Sequence, residues 1–459
     1  MVFDVLKFLF ICLEVVFIFN LLIVVHEWGH FLAARWRGLK VEKFAIWFGK
    51  PIWSKTINGV EYRLGSIPAG GFVAIPQLAP MEALEGESAE SRESLPPVKP
   101  LDKIIVAAAG PIFSLGLAFV MACLVWVVGK PQSEFDTTVI GYVREGGPAA
   151  EAGLRAGDRI VAVDGKPVKH FLTGTDSVKW RIVRSEGGKI PFTVERNGQL
   201  ITLDTGWTKP ETSNWRRPAL REVQIGPRVV PGVGFVVRGS LADKAGFQAG
   251  DLVTAIQGTP VFNLSDLGPV IDARRGQEAE FTVERNGSPV SLSMLLPPAT
   301  EDAAPIDFGI EWGRTTLVHP NPFVQVRDAA TSIFRMVGAL VSPASDVKAA
   351  HFSGPVGIMR LYYQIFESDN GWRIALAFSV LINVNLALLN LLPFPVLDGG
   401  HITLALIEAV RRKPISIRVL EAVQTACALA LVGFMLYLTF YDVGDIVASG
   451  SPPAVESKK

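Results

Sequence analysis

Residues 8–30 read FLFICLEVVFIFNLLIVVHEWGH. The stretch is apolar up to Val25 apart from Glu14 and Asn20. As a helix, ~20 such residues cross the hydrocarbon core of a bilayer. The run leads into a His/Glu cluster rather than a small-residue cleavage site, so it reads as a retained transmembrane helix and not a signal peptide. His26-Glu27-Trp28-Gly29-His30 is an H-E-x-x-H motif. On a helix, residues i and i+4 share a face, so both imidazoles can bind one metal ion. Zinc suits nitrogen donors, and three protein ligands leave a fourth position for water. Glu27, beside the first imidazole, is then the candidate general base. Ionisable groups at the end of a span are expensive in lipid and point to function. Glu14, in the outer half of the span, and Asn20 read as groups facing the protein interior.

Working outward, residues 104–128, 374–392 and 422–440 are also long and apolar enough to span. Cations set the orientation. Arg35, Arg37, Lys40, Lys43 and Lys50 follow the first span, Lys99 and Lys103 precede the second, and Arg411, Arg412, Lys413 and Arg418 separate the third from the fourth. The positive-inside rule places residues 35–103 and 400–418 in the cytoplasm, with both termini and the long middle segment outside. Lys plus Arg and Asp plus Glu balance at 44 each, so charge gives no argument for a nucleic-acid partner. Cys12, Cys123 and Cys427 lie far apart in apolar stretches. They form no CxxC pair, so neither a disulfide framework nor a thiolate metal site is suggested, and they read as small apolar packing residues.

Residues 44–75 read as a β-hairpin region, with strand-like pieces at 61–67 and 71–75; residues 82–100, rich in Glu, Ser and Pro, read as a linker. The middle segment repeats itself. Ala152-Gly153-Leu154-Arg155-Ala156-Gly157-Asp158 recurs as Ala245-Gly246-Phe247-Gln248-Ala249-Gly250-Asp251, and Phe-Thr-Val-Glu-Arg-Asn-Gly occurs at 192–198 and 281–287. Two elements in the same order, twice, indicate two copies of one small β-rich module. Their pattern resembles PDZ domains, which bind peptides by adding a strand to a sheet edge. Residues 321–365 then show helical periodicity, interrupted by a turn at Phe352-Ser353-Gly354-Pro355-Val356-Gly357-Ile358.

A third metal ligand is needed. The segment Asn390-Leu391-Leu392-Pro393-Phe394-Pro395-Val396-Leu397-Asp398-Gly399-Gly400-His401 ends the third span. Its prolines and glycines break the helix, which membrane depth tolerates only where the backbone is buried in protein or lines a cavity. Spans one and three run the same way, so this segment shares a side with His26 and His30. On the pattern alone, Asp398 and His401 compete equally for the third position.

H-E-x-x-H in the first of four spans, N-x-x-P-x-P-x-L-D-G-G after the third, and PDZ-like modules between the second and third together resemble the site-2 protease family of intramembrane metalloproteases. The closest form is its RseP type, the regulator-of-sigma-E proteases. Ile67-Pro68-Ala69-Gly70-Gly71-Phe72, Ala109-Gly110-Pro111 and Ser353-Gly354-Pro355-Val356-Gly357-Ile358 match as well, and the resemblance covers nearly the whole chain. It implies a zinc metalloendopeptidase in which His26, His30 and Asp398 bind Zn2+, Glu27 activates water and Asn390 binds substrate. Gly70, Gly71 and Phe72 would contact substrate through a membrane-reentrant β element, and Pro393 and Pro395 would shape the loop beside it. The expected substrates are single-span membrane proteins, such as an anti-sigma factor or signal-peptide remnants, in a bacterial inner membrane. The fold class implied is a polytopic α-helical membrane protein with four transmembrane helices and a reentrant β-hairpin. Its membrane core is 1–130 and 373–459, with PDZ-like domains at 131–225 and 226–300 and amphipathic linker helices at 301–372. Two departures stand out: Trp47-Phe48-Gly49 replaces a usual Gly-Phe-Gly, and Phe113 stands among positions that are usually small.

Other classes fit less well. A peptide-binding scaffold anchored by inert spans has no use for an intact H-E-x-x-H. A metal transporter is disfavoured by four spans without internal symmetry.

Overall fold

The computed structural model describes residues 2–78, 98–133, 137–172, 174–210, 217–229, 231–261, 263–298, 306–313, 315–343, 345–367, 370–412 and 417–449. The linker expected at 82–100 falls, up to residue 97, outside them. The chain divides into two units. One comprises Met1–Lys130, His319–Phe334 and Phe352–Lys459; the other comprises Pro131–Val318 and Arg335–His351. Four helices are long and apolar enough to cross a membrane, at Phe8–Trp36, Pro100–Val128, Gly371–Asn390 and Ala422–Val447.

Helix α1 (Val2–Trp36) does not stop at His30, where the sequence reading ended it, but runs on to Trp36. The extension has a packing reason. Phe31, Ala33 and Ala34 are buried in one cluster with Phe44, Ile75, Val106 and Ala109. Strands β1 (Lys43–Ile57) and β2 (Val60–Ala74) then meet through Asn58-Gly59, both at positive φ, as a two-residue hairpin turn requires. The strands are longer than expected. The register doubles back: Lys43–Ile46 pairs antiparallel with Gly71–Ala74 on one side and in parallel with Glu61–Leu64 on the other. The order across this curled sheet is therefore 71–74, 43–46, 60–64, 53–57, with Gly71–Ala74 at one edge. Helix α2 (Pro100–Val128) follows, with Pro100 in its first turn where a missing N–H costs nothing.

The second unit contains two four-stranded antiparallel sheets of identical order. Strands β3 (Arg159–Val163), β4 (Lys166–Pro167), β5 (Ile190–Arg196) and β6 (Gln199–Thr205) lie as β4-β3-β5-β6. Strands β7 (Leu252–Ile256), β8 (Thr259–Pro260), β9 (Glu278–Arg285) and β10 (Ser288–Leu295) lie as β8-β7-β9-β10. The repeated heptapeptides form β5 and β9 with their turns, and bury Phe192, Val194, Phe281 and Val283. The two repeated motifs also meet within each module. Arg196 grips buried Asp158 through two 2.7 Å hydrogen bonds, and Arg285 grips buried Asp251 in the same way.

A further buried charge cluster in this unit yields a stability prediction. Asp346 accepts hydrogen bonds of 2.7 Å from Arg221 and from Lys209, and the Arg221 guanidinium lies 4.6 Å over the Trp207 ring. Burial pushes the Asp346 carboxyl up, but its two cationic partners outweigh that and hold it down at about 2. Asp346→Asn leaves the buried Arg221 charge without its counter-ion, a loss of about 3–5 kcal/mol. Because the folded-state value is depressed, the pair's contribution is complete above the unfolded carboxyl value of about 3.9 and disappears as pH falls from there through about 2. Urea melts of wild type and Asp346→Asn, followed by tryptophan fluorescence, should differ clearly at pH 7 and converge across that window. Equal midpoints at pH 7 would refute the assignment.

The periodic stretch expected at 321–365 is two helices, α3 (Pro322–Val341) and α4 (Pro355–Glu367), separated around Pro343 and Pro355, which cannot donate to a preceding turn. Helix α5 (Gly371–Asn390) packs on α1 and α2 through Leu22, Met121, Ala122, Val125 and Val380. Tyr362 of α4 bonds Ser379 of α5 at 2.8 Å. Helix α6 (Asp398–Arg411), which the sequence reading did not anticipate, begins at Asp398 itself. Helix α7 (Ile417–Ser449) carries buried Asp442, which accepts the backbone N–H groups of Gly354 (2.9 Å) and Gly357 (2.8 Å) at the start of α4.

Candidate metal centre and active site

Helix α1 presents His26 and His30 one turn apart, their ring centroids separated by 4.9 Å. The first residue of α6 brings Asp398 against both. Its Oδ2 lies 3.2 Å from His26 Nε2, and its Oδ1 lies 3.3 Å from His30 Nε2. Asp398 reaches this position because the seven residues between α5 and α6 fold tightly against the start of α6. Gly399 and Gly400 permit that fold, since a Cβ there would lie 2.2 Å from the Leu391 carbonyl oxygen and 2.1 Å from that of Phe394.

Helix α2 runs alongside the imidazoles and orients them. His30 Nδ1 donates to the Val106 carbonyl oxygen at 2.8 Å, an atom that can only accept. In the neutral ring that leaves Nε2 as a lone pair. His26 Nδ1 lies 3.0 Å from Ser114 Oγ. The two Nε2 atoms face each other at 3.2 Å beside a carboxylate whose buried Oδ2 makes no hydrogen bond. Electron-rich atoms this close repel unless a cation lies among them. Two nitrogens and a carboxylate oxygen, with outer partners fixing the rings, are a donor set zinc accepts with a position to spare. His26, His30 and Asp398 could therefore hold a metal ion. His401 does not belong to that group, although it lines the cavity beside it; its Nε2 is buried without a hydrogen bond.

A cavity of about 300 Å³ opens beside the cluster, lined among others by Glu27, Gly71, Phe72, Val73 and Asn390. Asn390 Nδ2 lies 3.4 Å from His26 Nε2. Gly70, at positive φ, lies instead under the Phe48 ring, and Pro393 and Pro395 do not line the cavity. Pro395 offers its carbonyl to Gln424 of α7 at 3.4 Å. An ion pair of 2.7 Å between Lys103 and Glu408 forms another part of the wall.

Sequence reasoning missed the contribution of α2. Val106, Gly110 and Ser114 recur every four residues along one face. A Cβ on Gly110 would lie 2.2 Å from His30 Nε2 and 2.8 Å from His26 Nε2. The four-residue spacing of small residues in an apolar helix was the available signal.

The family model described as Peptidase family M50 matches residues 14–434. A Ralstonia nicotianae protein named as a zinc metalloprotease is 30% identical over 465 residues, covering 93% of this chain and 97% of that protein. The regulator of sigma-E protease RseP of Escherichia coli is 30% identical over 457 residues, covering 92% and 96%. Protease RseP of Yersinia pestis is 30% identical over 448 residues, with the same coverage.

Proposed function

This chain belongs to peptidase family M50, as a zinc metalloprotease of the site-2 type, and we propose that it hydrolyses a peptide bond in or near the transmembrane segment of single-span membrane proteins. The observation that carries the reading is the convergence of His26, His30 and Asp398 beside Glu27, in a cavity that the edge strand Gly71–Ala74 helps to line.

In this reading His26, His30 and Asp398 hold the zinc ion. Zinc so held supplies Lewis-acid polarisation of a carbonyl and acidifies water. Glu27 takes the proton from the attacking water and passes it to the leaving amine. Asn390 donates Nδ2–H to a substrate carbonyl. The substrate must first unwind, because helical peptide bonds are closed off by their own hydrogen bonds. Unwinding in lipid strands N–H and C=O groups at several kcal/mol each. The strand Gly71–Ala74, paired on one side only in the register, can satisfy them by β-addition. Exposed Phe48, Ile52, Trp53 and Ile67 suit a hairpin that dips into the bilayer.

The cation distribution supports a cytoplasm-facing site with the two repeated modules on the opposite side of the membrane; by analogy with the regulator of sigma-E proteases, that membrane is a bacterial inner membrane and the opposite side is the periplasm. Those modules act as PDZ-like gates or docking sites for the substrate. By analogy with the regulator of sigma-E proteases, the substrate class is an anti-sigma factor or a signal-peptide remnant.

The test uses the purified protein in detergent with a tagged single-span substrate. Stripping zinc with 1,10-phenanthroline should stop cleavage, zinc should restore it, and mass spectrometry should place the cut within or at the edge of the span. Cleavage that persists through chelation, or a cut confined to a soluble segment, defeats the proposal.

A further inference from the structure

Trp47 lies at φ 70°, in the left-handed region where glycine is the ordinary occupant. A large side chain stays there only when its surroundings fix it. Here the indole Nε1 donates to Asn20 Oδ1, within the first span. Asn20 is itself held, since its Nδ2 donates to the Val16 carbonyl oxygen at 2.7 Å. An amide in an apolar span is costly without such partners, so the pair also accounts for a polar residue that the metal centre does not use.

The position of the pair gives it a role. Asn20, Ile23 and Glu27 follow one another at helical spacing along one face of α1. Gly71 rests on the same face, where a Cβ would lie 3.2 Å from Ile23 and 3.4 Å from Glu27. The residue after Trp47 ties this bend of β1, between its segments 43–46 and 53–57, to that edge strand. The Phe48 ring stacks on Phe72 with centroids 6.1 Å apart, and it fills the space a Cβ on Gly70 would need, 2.0 Å away. Arg63 covers the Phe72 ring at 5.0 Å. Of two neighbouring residues, one is therefore bonded to α1 and the next to the edge strand.

We infer that Trp47 and Asn20 are positioning residues: their hydrogen bond sets where Gly71–Ala74 passes Glu27, and so which substrate peptide bond is presented for hydrolysis. This rests on the reading above that substrate pairs with that strand.

Trp47→Phe keeps a ring and removes the N–H donor; Asn20→Leu removes the acceptor and suits the span. Each single variant should bind zinc like wild type, lose about ten- to a hundredfold in kcat with KM little changed, and cut at neighbouring bonds as well as the native one. The double variant should be no worse than either single. Unchanged kcat with one cut site, losses that multiply in the double, or loss of zinc in the singles would each overturn the inference. A benzoylphenylalanine in place of Val73, on the Glu27→Gln background, separates the two readings. Without a substrate crosslink the strand-pairing reading itself fails. With a crosslink and unaltered cutting in the variants, only the positioning role fails.

Discussion

Glu27→Gln should bind zinc as wild type does and cleave its substrate about a thousandfold more slowly. Glutamine keeps the size of the side chain and its capacity to orient a water, but it cannot accept the proton. Glu27 is not among the atoms that converge on the metal position, which are His26 Nε2, His30 Nε2 and the Asp398 carboxylate. Removing its charge therefore leaves the donor set intact. Its nearest rival is Glu408, the other carboxylate besides Asp398 among the described residues lining the cavity. Glu408 is engaged by Lys103 in a 2.7 Å ion pair in the cavity wall, so a cation already occupies its carboxylate. Zinc content and single-turnover cleavage of the two proteins decide the matter. Full activity in Glu27→Gln would transfer the base to another group, with Glu408→Gln the next variant. Loss of zinc together with activity would instead make Glu27 a part of the metal site.

The separation between what was legible in the sequence and what was not follows the range of the interactions. His26, Glu27 and His30 are related by helix geometry alone, so their spacing carries the information. The tandem modules are equally legible: repeated Asp158 and Asp251 meet repeated Arg196 and Arg285, and the same contact recurs because the same residues recur. The choice between Asp398 and His401 could not be made locally. It depends on how Gly399 and Gly400 let the preceding loop close over the start of α6, a contact between backbones. The first hairpin strand was hidden because Gly49 and Pro51 interrupt its alternation. The four-residue spacing of Val106, Gly110 and Ser114 was visible, but not its purpose; they matter because α2 runs beside the two imidazoles and bonds their Nδ1 atoms. Asn20 looked like an isolated polar residue until Trp47, 27 positions away, became its partner.

That approach of α2 to α1 leads to the second large effect, at Gly110. Gly110→Val should lose zinc and proteolysis together, whereas Gly116→Val, on the same helix with nothing within 4 Å of its Cβ position, should lose neither. A Cβ at residue 110 would lie 2.2 Å from His30 Nε2. Ordinary contact requires more than 1 Å of extra room, while metal–ligand distances tolerate about 0.2 Å. The rings have nowhere to retreat, because Val106 and Ser114 hold their Nδ1 atoms. The helices cannot easily separate either: Gly29 packs so closely that a Cβ there would lie 2.6 Å from the Ala109 carbonyl oxygen and 2.9 Å from the Phe113 ring. Displacing a single outer partner of a metal ligand typically costs ten- to a hundredfold in affinity. Pushing two ligands aside should cost at least ~100-fold, and added zinc should restore little. Bound zinc after dialysis, cleavage rate and thermal unfolding, measured in parallel, separate this from misfolding. A Gly110→Val protein with wild-type unfolding but no zinc supports the centre drawn here. One that keeps both zinc and turnover would mean that His26 and His30 do not direct Nε2 toward α2, and the ligand set would have to be rebuilt.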